Sequence, residues 1–149
     1  TGIRRQRQMC IRDSLMGYLS QKTKEYNGYV EGVTVDMFDK KKYTPDYIDS
    51  LEVETNFYDR KRKLNDNSDA FLILPGGIGT ADEFFDVLNL ASLGLITKKI
   101  IVYNKNDCWT DVLTWIDKAK NMEMLRTIPK NLVIAENIDE LIFALKSYV

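Results

Sequence analysis

The residues best suited to chemistry lie in one segment, Pro-Gly-Gly-Ile-Gly-Thr-Ala-Asp-Glu, at positions 75–83. It follows an apolar run at 70–74, which is typical of a buried strand in a parallel sheet. Gly76, Gly77 and Gly79 give a turn whose backbone can approach another group closely. With a helix starting just behind them, they predict a phosphate site, because free N–H groups and the helix dipole both favour an anion.

Glu83 has two interpretations, of which the local pattern alone favours the structural one. Thr80 is predicted to cap a helix over 81–93, and Glu83, three residues later, would complete a capping box of purely structural value. Alternatively, the Glu83 carboxylate takes part in catalysis. The common nucleotide-binding fingerprints do not distinguish these interpretations, because neither is present. The loop has no Walker A lysine, and Asp82 stands where a dinucleotide fingerprint needs its third glycine.

A basic run, Arg60-Lys61-Arg62-Lys63, precedes the glycine-rich segment. Most such runs on a charged helix are solvated, and this is one interpretation of all four side chains. The other is that Arg60 grips phosphate or ribose oxygens, for which the planar guanidinium is well shaped. Arg62 and Lys63 fit no motif and are expected to be solvated.

Composition narrows the function. The chain has no histidine, which excludes Ser-His-Asp and Cys-His nucleophile systems and leaves carboxylates, Arg, Lys, hydroxyls and backbone groups. The net charge of −1 argues against a dedicated nucleic-acid binder. No apolar run approaches the roughly 20 residues that cross a bilayer. Two isolated cysteines, Cys10 and Cys108, favour a reducing cytoplasm.

Strand and helix patterns alternate along the chain, which predicts an α/β fold with a doubly wound parallel sheet and helices on both faces. Asn27-Gly28 is expected to end the first helix through its glycine, and Gly94 the helix that follows the glycine-rich segment. Strands are predicted at 29–35, 51–55, 70–74, 99–103 and 132–135, and helices at 15–26, 56–67, 81–93, 109–122 and 138–148, with a charged loop over 36–45.

The glycine-rich segment resembles the Pro-Gly-Gly-x-Gly-Thr-x-x-Glu signature of the LONELY GUY family, the cytokinin riboside 5'-monophosphate phosphoribohydrolases that are often mislabelled lysine decarboxylases. The upstream Arg60-Lys61 pair, the Ser-Asp-Ala-Phe at 68–71 and Leu93-Gly94 are similar to further parts of that family's core block. The resemblance implies a Rossmann-like fold, with Arg60 and Glu83 as the catalytic pair. It also implies that substrate and phosphate are held by Lys61, Gly76, Gly77, Gly79 and Thr80.

The implied reaction is hydrolysis of the N-glycosidic bond of a purine nucleoside 5'-monophosphate, with adenine or an N6-modified adenine as base. No metal or organic cofactor is implied, and a homodimer is expected, without nucleic-acid or membrane partners. The alternative is a non-catalytic nucleotide-binding or sensing protein of the same superfamily. Residues 1–14 are expected to be a non-native leader, and residues 15–149 a single, partial Rossmann-like domain that lacks its first strand–helix–strand.

Overall fold

The computed structural model describes residues 15–36 and 47–147. Parallel strands alternate with helices, so the predicted α/β class is confirmed. The expected leader over 1–14 lies outside the described residues, as does the predicted loop apart from Asp36. The elements are α1 (Leu15–Glu25), β1 (Glu31–Val35), β2 (Ser50–Glu54), α2 (Phe57–Asp66), β3 (Ala70–Ile73), α3 (Ile78–Ser92), β4 (Lys99–Tyr103), α4 (Thr110–Asn121), β5 (Leu132–Ala135) and α5 (Ile138–Lys146).

The described residues form two compact units, divided between Ser68 and Asp69. In the first unit, β1 and β2 pair in parallel and α2 packs on both strands. Asp49 ties this unit together, accepting hydrogen bonds from Lys24 Nζ at 2.6 Å and from Val30 N at 2.7 Å. These two donors lower the pKa of Asp49, the Lys24 ammonium having the larger effect.

Helix α1 ends in a different way from the one predicted. Asn27, rather than Gly28, takes the left-handed conformation, with φ of 60°. Asn27 N donates to Lys24 O and Gly28 N to Thr23 O, which is the Schellman pattern with asparagine as its left-handed residue. Gly28 is still needed, because a Cβ built there would lie 2.9 Å from the Thr23 carbonyl oxygen.

The second unit is a three-stranded parallel sheet in the order β3-β4-β5. Alternate side chains of each strand enter two separate clusters, as the period of two requires. One face packs against α3 and α4 through a buried cluster that includes Phe71, Ile100 and Phe84. The other face packs against α5 through Ile101, Ala135, Leu141 and Ala144. Within this unit, helices therefore cover both sheet faces.

Helix α3 ends as the sequence predicts. Gly94 has φ of 71°, Gly94 N donates to Ala91 O, and Leu95 N donates to Leu90 O at 2.9 Å. Glycine adopts this left-handed conformation without a Cβ penalty. No helix within residues 15–36 and 47–147 is long and apolar enough to cross a membrane.

Candidate functional site

The glycine-rich loop runs from the end of β3 into α3, but α3 begins three residues earlier than predicted. Its N-cap is Gly77, in an extended conformation with φ of −93° and ψ of −155°, and no side chain caps it. The first helical bond runs from Ala81 N to Gly77 O at 3.0 Å. The prediction that Thr80 caps a helix beginning at Ala81 is therefore wrong, because Thr80 already lies in the first turn.

The same shift removes the capping-box interpretation of Glu83. A capping box needs its glutamate three residues after the cap, whereas Glu83 follows Gly77 by six positions. Asp82 is likewise beyond the first turn. Glu83 is only 5% exposed, and its residue number places it one helical turn after Gly79 and Thr80 on the same face. Because helical side chains lean toward the N-terminus, we expect the carboxylate to lie on the side of the glycine-rich turn.

Two glycines of the loop face different surroundings. A Cβ built on Gly76 would lie 2.3 Å from Thr80 Oγ1, so Thr80 folds back over this glycine and leaves it no room for a side chain. A Cβ on Gly77 would meet nothing within 4 Å. Gly76 is thus required by packing, whereas the space beside Gly77, at the N-terminus of the helix, is open.

Helix geometry makes this open space suitable for an anion. The N–H groups of Ile78, Gly79 and Thr80 lie in the first turn, where no carbonyl of the same helix can accept from them. These groups carry the positive end of the helix dipole. A phosphate in front of Gly77 would meet several donors at once, without any charged side chain. Phosphate binding by this loop stays a prediction, with which the open helix start agrees.

Arg60 and Lys61 lie on α2 in the first unit. Arg60 is buried, with 4% exposure, and its Nε donates to Val33 O of β1 at 3.0 Å. The solvated interpretation is therefore wrong for Arg60, whereas Lys61 is partly exposed. Arg62 is exposed and pairs with Asp59 at 3.0 Å, as expected for a solvated residue.

Lys63, by contrast, is half-buried and pairs with Glu52 at 2.7 Å. This hydrogen bond is the largest cause of the raised pKa of Lys63. Of the predicted site residues, Thr80 and Gly76 lie against each other within the second unit. The pairing of Arg60 with Glu83 stays a prediction, because the two residues belong to different units.

One group of residues near the loop was not predicted from the sequence motifs. Asn104 and Trp109 are buried beyond the end of β4, and Trp109 Nε1 donates to the carbonyl of Leu74 at 3.3 Å, immediately before the loop. An available signal was the position of Asn104 directly after a strand, since the carboxyl ends of parallel strands share one edge of the sheet. Within the described part of the chain, no group of three or more Cys, Asp or Glu side chains could hold a metal ion.

Comparison with known proteins agrees with the motif. A family model described as "Possible lysine decarboxylase" matches residues 16–145. The cytokinin riboside 5'-monophosphate phosphoribohydrolase of Mycobacterium marinum (strain ATCC BAA-535 / M) is 30% identical over 128 residues, which are 85% of this chain and 68% of that protein. The identically named protein of Rhodococcoides fascians is 30% identical over 138 residues, 91% of this chain and 70% of that one.

A plant relative is about as similar. Cytokinin riboside 5'-monophosphate phosphoribohydrolase LOG2 of Arabidopsis thaliana is 29% identical over 136 residues, which are 91% of this chain and 64% of the plant protein. The chain thus spans about two thirds of the length of the relatives it matches.

Proposed function

This chain belongs to the LONELY GUY family, whose family model is described as possible lysine decarboxylase, and from this premise we propose that it is a nucleotide N-glycosyl hydrolase. Its substrate would be a purine nucleoside 5'-monophosphate, with adenine or an N6-modified adenine as base. The products would be free base and ribose 5-phosphate. The relatives' names, which specify cytokinin riboside 5'-monophosphate, support this class of substrate.

The observation that carries the proposal is the open helix start at Gly77, followed within two turns by the buried Glu83. In the proposed complex, the 5'-phosphate lies against the N–H groups of Ile78, Gly79 and Thr80. The ribose then extends along the helix face that bears Glu83. Arg60 would position the sugar-phosphate and Lys61 would assist, as the family resemblance implies.

Glu83 would act on the C1'–N9 bond. As this bond breaks, positive charge develops on the ribose, and a nearby carboxylate stabilises the cation or orients water, as in O-glycosidases. The water oxygen forms a bond to C1', and one water proton is transferred to the departing base nitrogen. A carboxylate repels an anionic phosphate, so a binding protein needs one only where it accepts from a ribose hydroxyl. The presence of both Arg60 and Glu83 supports an enzyme over a carrier.

The test is product analysis. Chromatography of AMP incubated with this chain should show adenine and ribose 5-phosphate. The kcat/KM for adenosine should be roughly ten- to hundredfold lower, because charge-assisted hydrogen bonds contribute about 1.5–3 kcal/mol. Equal turnover of adenosine and AMP would refute the phosphate-anchoring role, and tight AMP binding without turnover would favour the nucleotide-sensing alternative.

The proposal includes a cytoplasmic homodimer. Helix α3 buries one side in its own unit, while Phe85, Leu93 and the following Leu95 are exposed. A second copy of the chain would cover these apolar residues. Light scattering should then give twice the chain mass of 17.3 kDa, and a stable monomer at micromolar concentration would contradict this part of the proposal.

A further inference from the structure

We propose that Trp109 is a positioning residue that fixes the glycine-rich loop, an inference that rests on the proposed function of that loop. Trp109 touches both sides of the turn. Its indole Nε1 donates to the Leu74 carbonyl at 3.3 Å, and its ring lies edge-on to Phe84, with centroids 5.9 Å apart. Leu74 immediately precedes the loop, and Phe84 immediately follows Glu83.

The contact with Leu74 comes where the sheet stops supplying partners. The last residue pair between β3 and β4 joins Ile73 to Val102, so Leu74 lies one residue past the ladder. Beyond that pair, the indole N–H provides a donor for the next carbonyl along the chain. Trp109 therefore extends the ordered hydrogen bonding of β3 by one residue, up to Pro75 and the glycines.

Trp109 is itself held by a buried asparagine. Trp109 N donates to Asn104 Oδ1 at 2.7 Å, and Asn104 Nδ2 donates to Thr110 Oγ1 at 2.9 Å and to Glu136 Oε2 at 3.0 Å. Asn104 N donates to Ala135 O at 2.8 Å. The network thus joins residues beyond the ends of β3, β4 and β5, and it leaves the indole little freedom to move.

The short turn between Asn104 and Trp109 has an unusual backbone conformation. Asn106 and Asp107 both have positive φ, at 53° and 56°. Two successive non-glycine residues in this region are uncommon, and they persist only where the surroundings determine the conformation.

The experiment compares Trp109→Phe with Trp115→Phe. Phenylalanine at 109 keeps an aromatic ring against Phe84 but lacks the indole N–H. Trp115, 56% exposed on α4, packs edge-on to Phe85 and serves as the matched control. Amide hydrogen exchange of Ala81, whose N–H donates to the loop carbonyl of Gly77, and the Kd for AMP are measured for wild type and both variants.

For Trp109→Phe, we expect the Ala81 amide at the loop to exchange about three- to tenfold faster and AMP to bind weaker by a similar factor, because one hydrogen bond is lost. Trp115→Phe should change neither quantity. Unchanged loop exchange in Trp109→Phe, or acceleration spread evenly over the second unit, would overturn the inference. If the wild-type chain does not bind AMP, the proposed function fails. The role of Trp109 is then decided by hydrogen exchange alone, according to whether the acceleration is confined to the loop.

Discussion

Two helix starts in the second unit differ sharply. Helix α5 follows β5 and is capped by Asn137, whose Oδ1 accepts from Glu140 N at 3.0 Å. Glu140 in turn accepts from Glu136 N at 2.7 Å. Helix α3 follows β3 in the same sheet, yet its N-cap is Gly77 and no side chain caps it.

The difference separates a helix start that the chain satisfies itself from one that it leaves for a ligand. Glycine at the N-cap costs only a few tenths of a kcal/mol relative to asparagine or serine, whereas alanine costs about 1 kcal/mol. The chain thus keeps the N–H groups of α3 accessible with little loss of stability. Gly76 serves the same turn by packing, since it admits Thr80.

The largest effect should come from Glu83 of α3, for which Glu140 of α5 provides the matched control. Glu83→Gln removes the carboxylate that we propose to act on the ribosyl cation, and activity on AMP should fall by about 10²- to 10⁴-fold. Glu140→Gln is the control, because glutamine can still accept the hydrogen bond at the α5 start. Steady-state kinetics and thermal melting of both variants provide the measurement.

Both variants should melt close to the wild-type temperature. Full activity in Glu83→Gln would refute the catalytic assignment. With the capping box excluded by the Gly77 start, Glu83 would then be a buried polar residue of the fold alone.

The second effect distinguishes the two glycines. Gly77→Ala places a methyl group in the open space before α3, where it would push the phosphate away from one N–H donor. AMP affinity should fall about tenfold, because a charge-assisted hydrogen bond is then lost. Stability should fall by less than about 1 kcal/mol. Gly76→Ala should instead destabilise by about 1–3 kcal/mol, since its Cβ overlaps Thr80.

Isothermal titration with AMP and denaturant unfolding measure the two quantities separately. If Gly77→Ala binds AMP like the wild type, the anion does not occupy the space in front of the helix. That result would leave the packing role of Gly76 intact.

The smallest effect belongs to the capped helix. Asn137→Ala removes the acceptor for Glu140 N, and the free energy of unfolding should fall by about 1 kcal/mol. AMP affinity should not change, because this helix start already has its own partner. Urea unfolding provides the first value and titration the second; weakened AMP binding would mean that the two helix starts are not functionally distinct.

The strands were the most predictable part of the fold. The bounds predicted for β4 and β5 agree with the structure at both ends. Ile100, Ile101 and Val102 are all fully buried, because β4 is the central strand and both of its faces are covered. A short apolar run is typical of that environment, so local sequence and tertiary context give the same answer.

The start of α3 was not predictable from local preference. Glycine is a poor helix former, so the pattern placed the helix after the last glycine of the loop. In the structure, Gly79 occupies the first turn, and the extended Gly77 sets the start. The burial of Arg60 was hidden for a related reason: four consecutive basic residues look alike in sequence, and only the packing of α2 on β1 singles out one of them.

The open helix start has a consequence for protonation. Main-chain N–H groups do not titrate, and the chain contains no histidine that could change charge near neutral pH. The phosphate itself takes up its second proton at about pH 6. The main-chain donors of this site would therefore hold the anion with nearly constant strength from neutral to alkaline pH, and in acid their hold would weaken as the ligand itself takes up a proton.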